Sequence, residues 1–145
     1  MDSSALGRRY LAEVGSAWVL SWLPKAAGHV VIVSELAPVE LYSTFARLQR
    51  DGRLPAAVVT VLQTALLIDM QREYVSVALE TSVLSQARTL VSRHPLRTLD
   101  AIQLSCAQSA AHTLREPLMF VSGDNRLLAA AAAEGFVTDN PYLHP

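Results

Sequence analysis

The chain has 145 residues, of which 51% are hydrophobic and 17% are charged, and its formal net charge is −1 at pH 7. This length predicts one domain over residues 1–145 with a single core. The apolar content argues against a disordered chain, and no stretch approaches the ~20 consecutive apolar residues of a membrane-spanning helix. We therefore expect a soluble protein without a membrane partner. Because no basic region followed by an apolar stretch opens the chain, we also expect a cytoplasmic location.

Cysteine and arginine usage narrows the classes of function. The single cysteine, Cys106, excludes an internal disulfide and a cysteine-based zinc cluster, and its apolar helical neighbours favour a core position. The weak net charge argues against a broad cationic face for nucleic acid. Nucleic acid stays open as a partner, because eleven of the twelve basic residues are arginines, which suit phosphate contacts. A trio at Arg47, Arg50 and Arg53 is either such a contact or a solvated helix face.

Strand-like and helix-like patterns alternate along the chain. In chain order we predict a helix at residues 14–22, a strand at 30–33, a helix through 41–48, a helix at 55–72, a strand at 74–79, helices at 80–92 and 98–114, a strand at 118–121, a helix at 125–134 and a short edge strand at 136–138. Continuous apolar strands separated by helices indicate a parallel sheet covered on both faces. The predicted fold is α/β, a three-layer αβα sandwich with a sheet of about four to five strands.

Capping residues predict several helix boundaries. Ser34 is placed to cap the helix that follows the first strand, with Pro38 tolerated near its first turn. Thr98 is placed to cap the helix after His94 and Pro95. Gly135 suits a left-handed residue that ends the helix at 125–134.

Four acidic residues are candidates for a functional site, since ligands of such folds bind just beyond the carboxyl ends of strands. Asp124 follows the third strand, and Glu40 lies one to two helical turns after the first. Asp100 is in the first turn of a helix, and Asp2 precedes a short helix start at Ser3. Each also has a structural explanation, as a helix N-cap, a solvated helix residue or an acid favoured by the helix dipole. Periodicity alone does not show that the four meet.

The segments around these acids resemble, in order, the motifs of the PIN-domain family. Residues 2–10, which begin Asp2-Ser3-Ser4, are similar to the opening motif, and residues 34–40, which end at Glu40, resemble the second. Residues 97–104 resemble the third motif and residues 120–128 the last. Carried over by motif, the resemblance implies an acidic, metal-holding and catalytic pocket of Asp2, Glu40, Asp100 and Asp124, supported by Ser4, Ser122 and Arg97.

The resemblance to VapC-type members of the family implies a magnesium-dependent endoribonuclease, the toxin of a VapBC-like toxin–antitoxin pair. A carboxylate set without histidine or cysteine suits Mg²⁺, with Mn²⁺ as an alternative. The partners that it implies are an RNA substrate, a cognate antitoxin protein and a second copy of the chain in a homodimer.

The chain departs from the family pattern at its start, where only Met1 precedes Asp2. Family members have an apolar strand there, so we expect that the first strand is truncated in this chain. We also expect that the natural reading frame begins upstream of Met1, or that the chain has lost its original start. Two alternatives stay open. A non-catalytic PIN-like protein-binding module accounts for the missing strand and the weak charge. A haloacid-dehalogenase-like enzyme fits poorly, because Ser4 stands where its second aspartate is needed.

Overall fold

The computed structural model of the chain describes residues 1–23 and 27–144. The elements follow in this order: α1 (Ser3–Leu6), a 3₁₀ turn (Gly7–Arg9), α2 (Ser16–Trp22), β1 (Val31–Ser34), α3 (Ala37–Arg50), α4 (Ala56–Arg72), β2 (Tyr74–Val77), α5 (Thr81–Arg93), α6 (Thr98–Leu114), β3 (Met119–Val121), α7 (Asn125–Ala133), β4 (Val137–Asp139) and a C-terminal 3₁₀ turn (Pro141–Leu143). Every element predicted above is present, with its boundaries shifted by a few residues. No helix in the two described ranges is both long and apolar enough to cross a membrane.

The four strands form two parallel pairs. Strand β1 pairs with β2, with Val31 opposite Tyr74, and β3 pairs with β4, with Met119 opposite Val137. The predicted α/β class and parallel pairing are therefore confirmed. A single sheet of four to five strands is not, because no ladder joins the two pairs within the described residues.

The first two residues lie between the strand pairs. The Met1 amine donates a hydrogen bond to the carbonyl of Ile32 in β1 at 2.9 Å, and the Asp2 N–H donates one to the carbonyl of Val121 in β3 at 3.0 Å. Two residues are too few for a strand. The remainder of β1 and β3 borders a cavity of about 250 Å³, which is the physical reason that the pairs stay separate.

The buried apolar side chains form two clusters rather than the single core expected from the length. The first cluster joins α1 to α4 with β1 and β2, and Leu6 and Phe45 lie at its centre. The second joins α5, α6, β3 and α7, and it includes Leu104 and Leu127. Cys106 is 3% exposed, so the expectation that it is buried is confirmed.

Helix boundaries were predicted with mixed success. The Ser34 cap is wrong, because α3 begins only at Ala37 and Leu36 occupies its N-cap position without a side-chain bond; the Ser34 hydroxyl accepts the N–H of Leu36 at 3.1 Å in the turn before the helix. Gly135 has the expected positive φ of 93°. The Thr98 cap is wrong, because Thr98 is the first residue of α6 and Arg97 occupies the N-cap position without a side-chain bond. Asp100 lies in the first turn of α6, where the helix dipole favours its negative charge.

Candidate active site

All four acids of the motifs lie at the beginnings of helices. Asp2 is the N-cap of α1 and Asp124 the N-cap of α7, while Glu40 and Asp100 are in the first turns of α3 and α6. Backbone N–H groups that lack helical partners concentrate at these ends, and the helix dipole favours negative charge there. Four different helices thus supply one acid each.

Asp2 is the most buried of the four, at 5% exposure. One carboxylate oxygen accepts hydrogen bonds from the Ser4 hydroxyl at 2.8 Å and the Ala5 N–H at 3.1 Å. The other accepts the Ser122 hydroxyl at 3.1 Å. Burial raises the pKa of the Asp2 carboxyl, and these hydrogen bonds offset only part of that rise.

The two serines tie Asp2 to the loop that follows β3. The Ser4 hydroxyl accepts the N–H of Gly123 at 2.8 Å, and the Ser122 hydroxyl accepts the N–H of Asp124 at 3.0 Å. Each serine therefore donates its hydroxyl proton to Asp2 and accepts a backbone N–H of the loop with an oxygen lone pair. These two contacts hold the start of α1 against the start of α7.

Glu40 lies within electrostatic reach of two other acids. Burial raises the pKa of its carboxyl, hydrogen bonds from Ser3 and Gln103 lower it, and the charges of Asp2 and Asp100 raise it again, with a net rise. The Gln103 amide donates to one Glu40 oxygen at 2.5 Å. This contact fixes the orientation of the carboxylate between α3 and α6.

Asp100 and Asp124 form a second acidic pair. Burial raises the pKa of Asp100, and so does the charge of Asp124, against opposing contributions from Arg97 and Arg126. Burial acts in the same direction on Asp124, but hydrogen bonds from the backbone of Leu127 and Arg126 outweigh it and lower the pKa of Asp124. The Arg126 guanidinium lies 3.6 Å from the Asp124 carboxylate. The exposed Arg97 precedes Asp100 by three residues.

The acids are electrostatically coupled without forming a closed ligand shell. Charge acts between Glu40 and Asp2, between Glu40 and Asp100, and between Asp100 and Asp124. Across residues 1–23 and 27–144, however, no three acidic, histidine or cysteine side chains are close enough together to hold a metal ion. The carboxylates turn instead toward donors of the protein itself, as Asp2 and Asp124 do in capping α1 and α7.

The chemistry of these side chains fits a hard divalent cation. The set consists of carboxylate oxygens, which Mg²⁺ prefers, and the raised pKa values of Asp2, Glu40 and Asp100 mark negative charge that the protein does not neutralise. A cation would relieve that charge.

Sequence reasoning missed three residues of the site: Ser3, Gln103 and Arg126. Gln103 could have been found, because it lies three residues after Asp100 in one helix and therefore shares its face. It is a polar residue at 5% exposure, which calls for a partner such as Glu40. Arg126 carries no comparable signal, since an arginine in the first turn of a helix is ordinary.

Comparison with known proteins gives two findings. The family model of the PIN domain matches residues 1–133. The chain is also similar to ribonuclease VapC47 of Mycobacterium tuberculosis (strain CDC 1551 / Oshkosh), with 32% identity over 143 residues that cover 97% of this chain and 95% of the relative. The match spans all four acids described above. The chain belongs to the PIN-domain family.

Proposed function

We propose that this chain is a divalent-metal-dependent endoribonuclease of the VapC type and the toxin of a toxin–antitoxin pair. The observation that carries the proposal is the arrangement of the four motif acids, Asp2, Glu40, Asp100 and Asp124, one at the beginning of each of four helices. Burial raises the pKa of Glu40 and of Asp100, and neighbouring carboxylates add to the rise in both. Like charges are held together at a cost in stability here, and an ion that binds between them would offset this cost.

In this proposal Asp2, Glu40, Asp100 and Asp124 hold Mg²⁺, or Mn²⁺ as the alternative. When bound, the ion supplies positive charge at the scissile phosphate and makes a water more acidic. Glu40 is oriented for its role in holding the ion by the Gln103 amide, which donates a hydrogen bond to one of its carboxylate oxygens. Ser4 and Ser122 hold Asp2, and Arg97 with Arg126 adds positive charge near Asp100.

A titration of melting temperature with Mg²⁺ tests the metal site. An ion that binds only the native state stabilises it by about 2.7 kcal/mol at a hundredfold excess over its dissociation constant, or roughly 8 °C for a chain of this size. We expect that rise in the wild type and little of it in Asp100→Asn. The control is Asp51→Asn, an exposed aspartate at the end of α3 that should respond as the wild type does.

A cleavage assay tests the reaction itself. Purified protein without antitoxin should cut RNA in Mg²⁺ and not in a chelator, and Asp100→Asn should abolish cutting while the far-UV circular dichroism stays unchanged. Equal cutting by Asp100→Asn would remove the claim.

A non-catalytic protein-binding module is the second candidate function. It is favoured by the lack of a closed ligand shell among the described residues. It predicts no rise in melting temperature with millimolar Mg²⁺ and no cutting of any RNA, so the same two experiments decide between the candidates.

The protein partners that we propose are a cognate antitoxin and a second copy of the chain. Helix α4 supports apolar association, because Val58, Val61 and Ile68 recur on one of its faces and are 40%, 65% and 43% exposed. Such side chains are commonly covered when a partner binds. Light scattering of the chain alone and with its antitoxin measures both assemblies, and a monomer at all concentrations would contradict the homodimer.

A further inference from the structure

A groove of about 620 Å³ lies beside the candidate active site, between α1, α3 and the C-terminal 3₁₀ turn. Its walls include Ser4 and Glu40, so it is continuous with the acids described above. Arg8, Arg47 and Tyr142 also line it, and none of the three has a role in holding the metal. The groove is therefore a candidate binding site for the part of the substrate that flanks the reacting phosphate.

Arg8 is a buried cation without an acidic partner in the described residues. It is 3% exposed, yet no carboxylate there lies within ion-pair distance of it. Its Nε donates to the carbonyl of Val14 at 2.9 Å, and its Nη1 donates to the carbonyl of Ser4. Two neutral carbonyls orient the guanidinium without neutralising it, and a buried charge of this kind is costly unless an anion balances it.

Tyr142 covers this guanidinium on the groove side. The Arg8 Cζ lies 4.1 Å from the centroid of the Tyr142 ring, a cation–π distance, while 52% of Tyr142 remains exposed. Gly123 allows the arrangement, because a Cβ there would lie 3.2 Å from the Tyr142 ring and 3.4 Å from Arg8 Nη1. The cation and the ring thus pack directly against the loop that carries Asp124.

Arg47 supplies a second cation to the same groove. It lies seven residues after Glu40 in α3, which is two turns along one helix face and about 10 Å in rise. Its side chain is exposed. Apart from Glu40, the acid lining the groove is Glu13, which is exposed as well.

We propose that this groove binds the RNA strand next to the cleavage site, with the exposed Arg47 contacting a phosphate, Tyr142 stacking on a base, and the buried Arg8 supporting the other face of the Tyr142 ring. This inference rests on the proposed function and names the substrate-binding residues of that site. Arginines that follow the backbone together with an aromatic platform are the combination by which proteins hold single-stranded nucleic acid. An acidic peptide would use Arg47 but has no base to place on the exposed Tyr142 ring.

The salt dependence of RNA binding tests the phosphate contact. The probe is a fluorescein-labelled, random-sequence 20-nucleotide RNA in a chelator, so that binding is measured without cutting. Removing one phosphate contact lowers the slope of log K against log salt by about 0.7 for a single strand. We expect this change in Arg47→Gln and none in Arg50→Gln, an exposed arginine on the same helix that does not line the groove.

A pair of substitutions at Tyr142 tests the stacking contact. Tyr142→Leu should weaken RNA binding by about fivefold to 150-fold, the range for loss of one stacked base, whereas Tyr142→Phe keeps the ring and should bind like the wild type. Arg8→Lys, which keeps the charge, should bind better than Arg8→Gln. That comparison is made only if both proteins melt near the wild-type temperature, and the Arg47 and Tyr142 results do not depend on it.

The outcomes separate this inference from the proposed function. If Arg47→Gln and Arg50→Gln have equal salt slopes and Tyr142→Leu binds normally, the groove is not the RNA site, even while Mg²⁺-dependent cutting stands. If the wild type never cuts RNA but binds it with the expected dependence on Arg47 and Tyr142, the nuclease proposal fails and the inference that the groove binds RNA still holds. Binding of a poly-glutamate peptide more tightly than RNA would overturn the inference in favour of an acidic protein segment.

Discussion

At the scale of single residues, Glu40 shows what the candidate site costs the protein. Burial and the charges of Asp2 and Asp100 raise its pKa, so the folded protein opposes the ionisation of a group that ionises freely in the unfolded chain. Stability is therefore lost as pH rises above the ordinary glutamate pKa of about 4.3, until the folded protein also ionises. The penalty is then complete and stays constant.

Glu40→Gln should remove this penalty. In a chelator, we expect the variant to gain stability relative to the wild type as pH rises above about 4.3, because a neutral amide has no ionisation for burial to oppose. Saturating Mg²⁺ should reverse the order, since only the wild type offers the ion a carboxylate at position 40. Urea unfolding at a series of pH values measures both effects. Glu116→Gln, at an exposed loop position, is the control, and a pH-independent difference between wild type and Glu40→Gln would contradict the prediction.

The residue scale is also where sequence reasoning worked best and where its limit is clear. Asp2 and Asp124 were expected to serve either as helix caps or as site acids, and the structure shows both capping helices while they neighbour the other acids. Motifs identify residue types in order along the chain. They do not reveal that Gln103 bonds to Glu40, since that contact joins residues 63 positions apart and depends on how α3 meets α6.

At the scale of elements, local patterns predicted the strands but not their pairing. Residues 30–33 and 118–121 were read correctly as strands because apolar, β-branched runs are local signals. Whether β1 and β3 join one sheet depends on what lies between them. Here that space holds Met1 and Asp2 followed by a cavity, so each strand keeps one edge unpaired beyond those two residues.

A strand added before Met1 should close this gap. We consider an extension of five apolar residues, Val-Ile-Val-Leu-Val, fused to the N-terminus, which would run parallel between β1 and β3. It would also replace the buried Met1 amine, whose pKa burial lowers, with a neutral N–H that keeps the bond to Ile32. We expect a gain in the free energy of unfolding, because apolar burial and new strand pairing oppose the entropy cost of ordering the extension.

Urea unfolding measures this gain. The matched control is the same extension with proline at its third position, which lacks the N–H that a central strand needs. Equal stability of the two extended proteins would show that the cavity does not accept a strand.

At the scale of the whole molecule, the four acids connect the two apolar clusters. Asp2 and Glu40 stand on α1 and α3, which are anchored in the first cluster by Leu6 and Phe45. Asp100 and Asp124 stand at the starts of α6 and α7, which belong to the second cluster. Repulsion among the acids therefore acts across the boundary between the clusters, and a shared cation would draw the two halves together.

This arrangement predicts that Mg²⁺ changes the cooperativity of unfolding as well as its midpoint. Both tryptophans, Trp18 and Trp22, are in α2, and Trp18 packs against the first cluster, so fluorescence reports on that half. Far-UV circular dichroism reports on helices of both halves. In a chelator we expect the two probes to give different urea midpoints, and in saturating Mg²⁺ we expect them to coincide, because an ion held by both clusters penalises the unfolding of either one. Asp100→Asn should keep the midpoints apart in Mg²⁺.

Two outcomes would contradict this prediction. Coincident midpoints in the chelator would mean that the clusters already unfold as one unit, and midpoints that stay apart in saturating Mg²⁺ would mean that the ion does not bridge them.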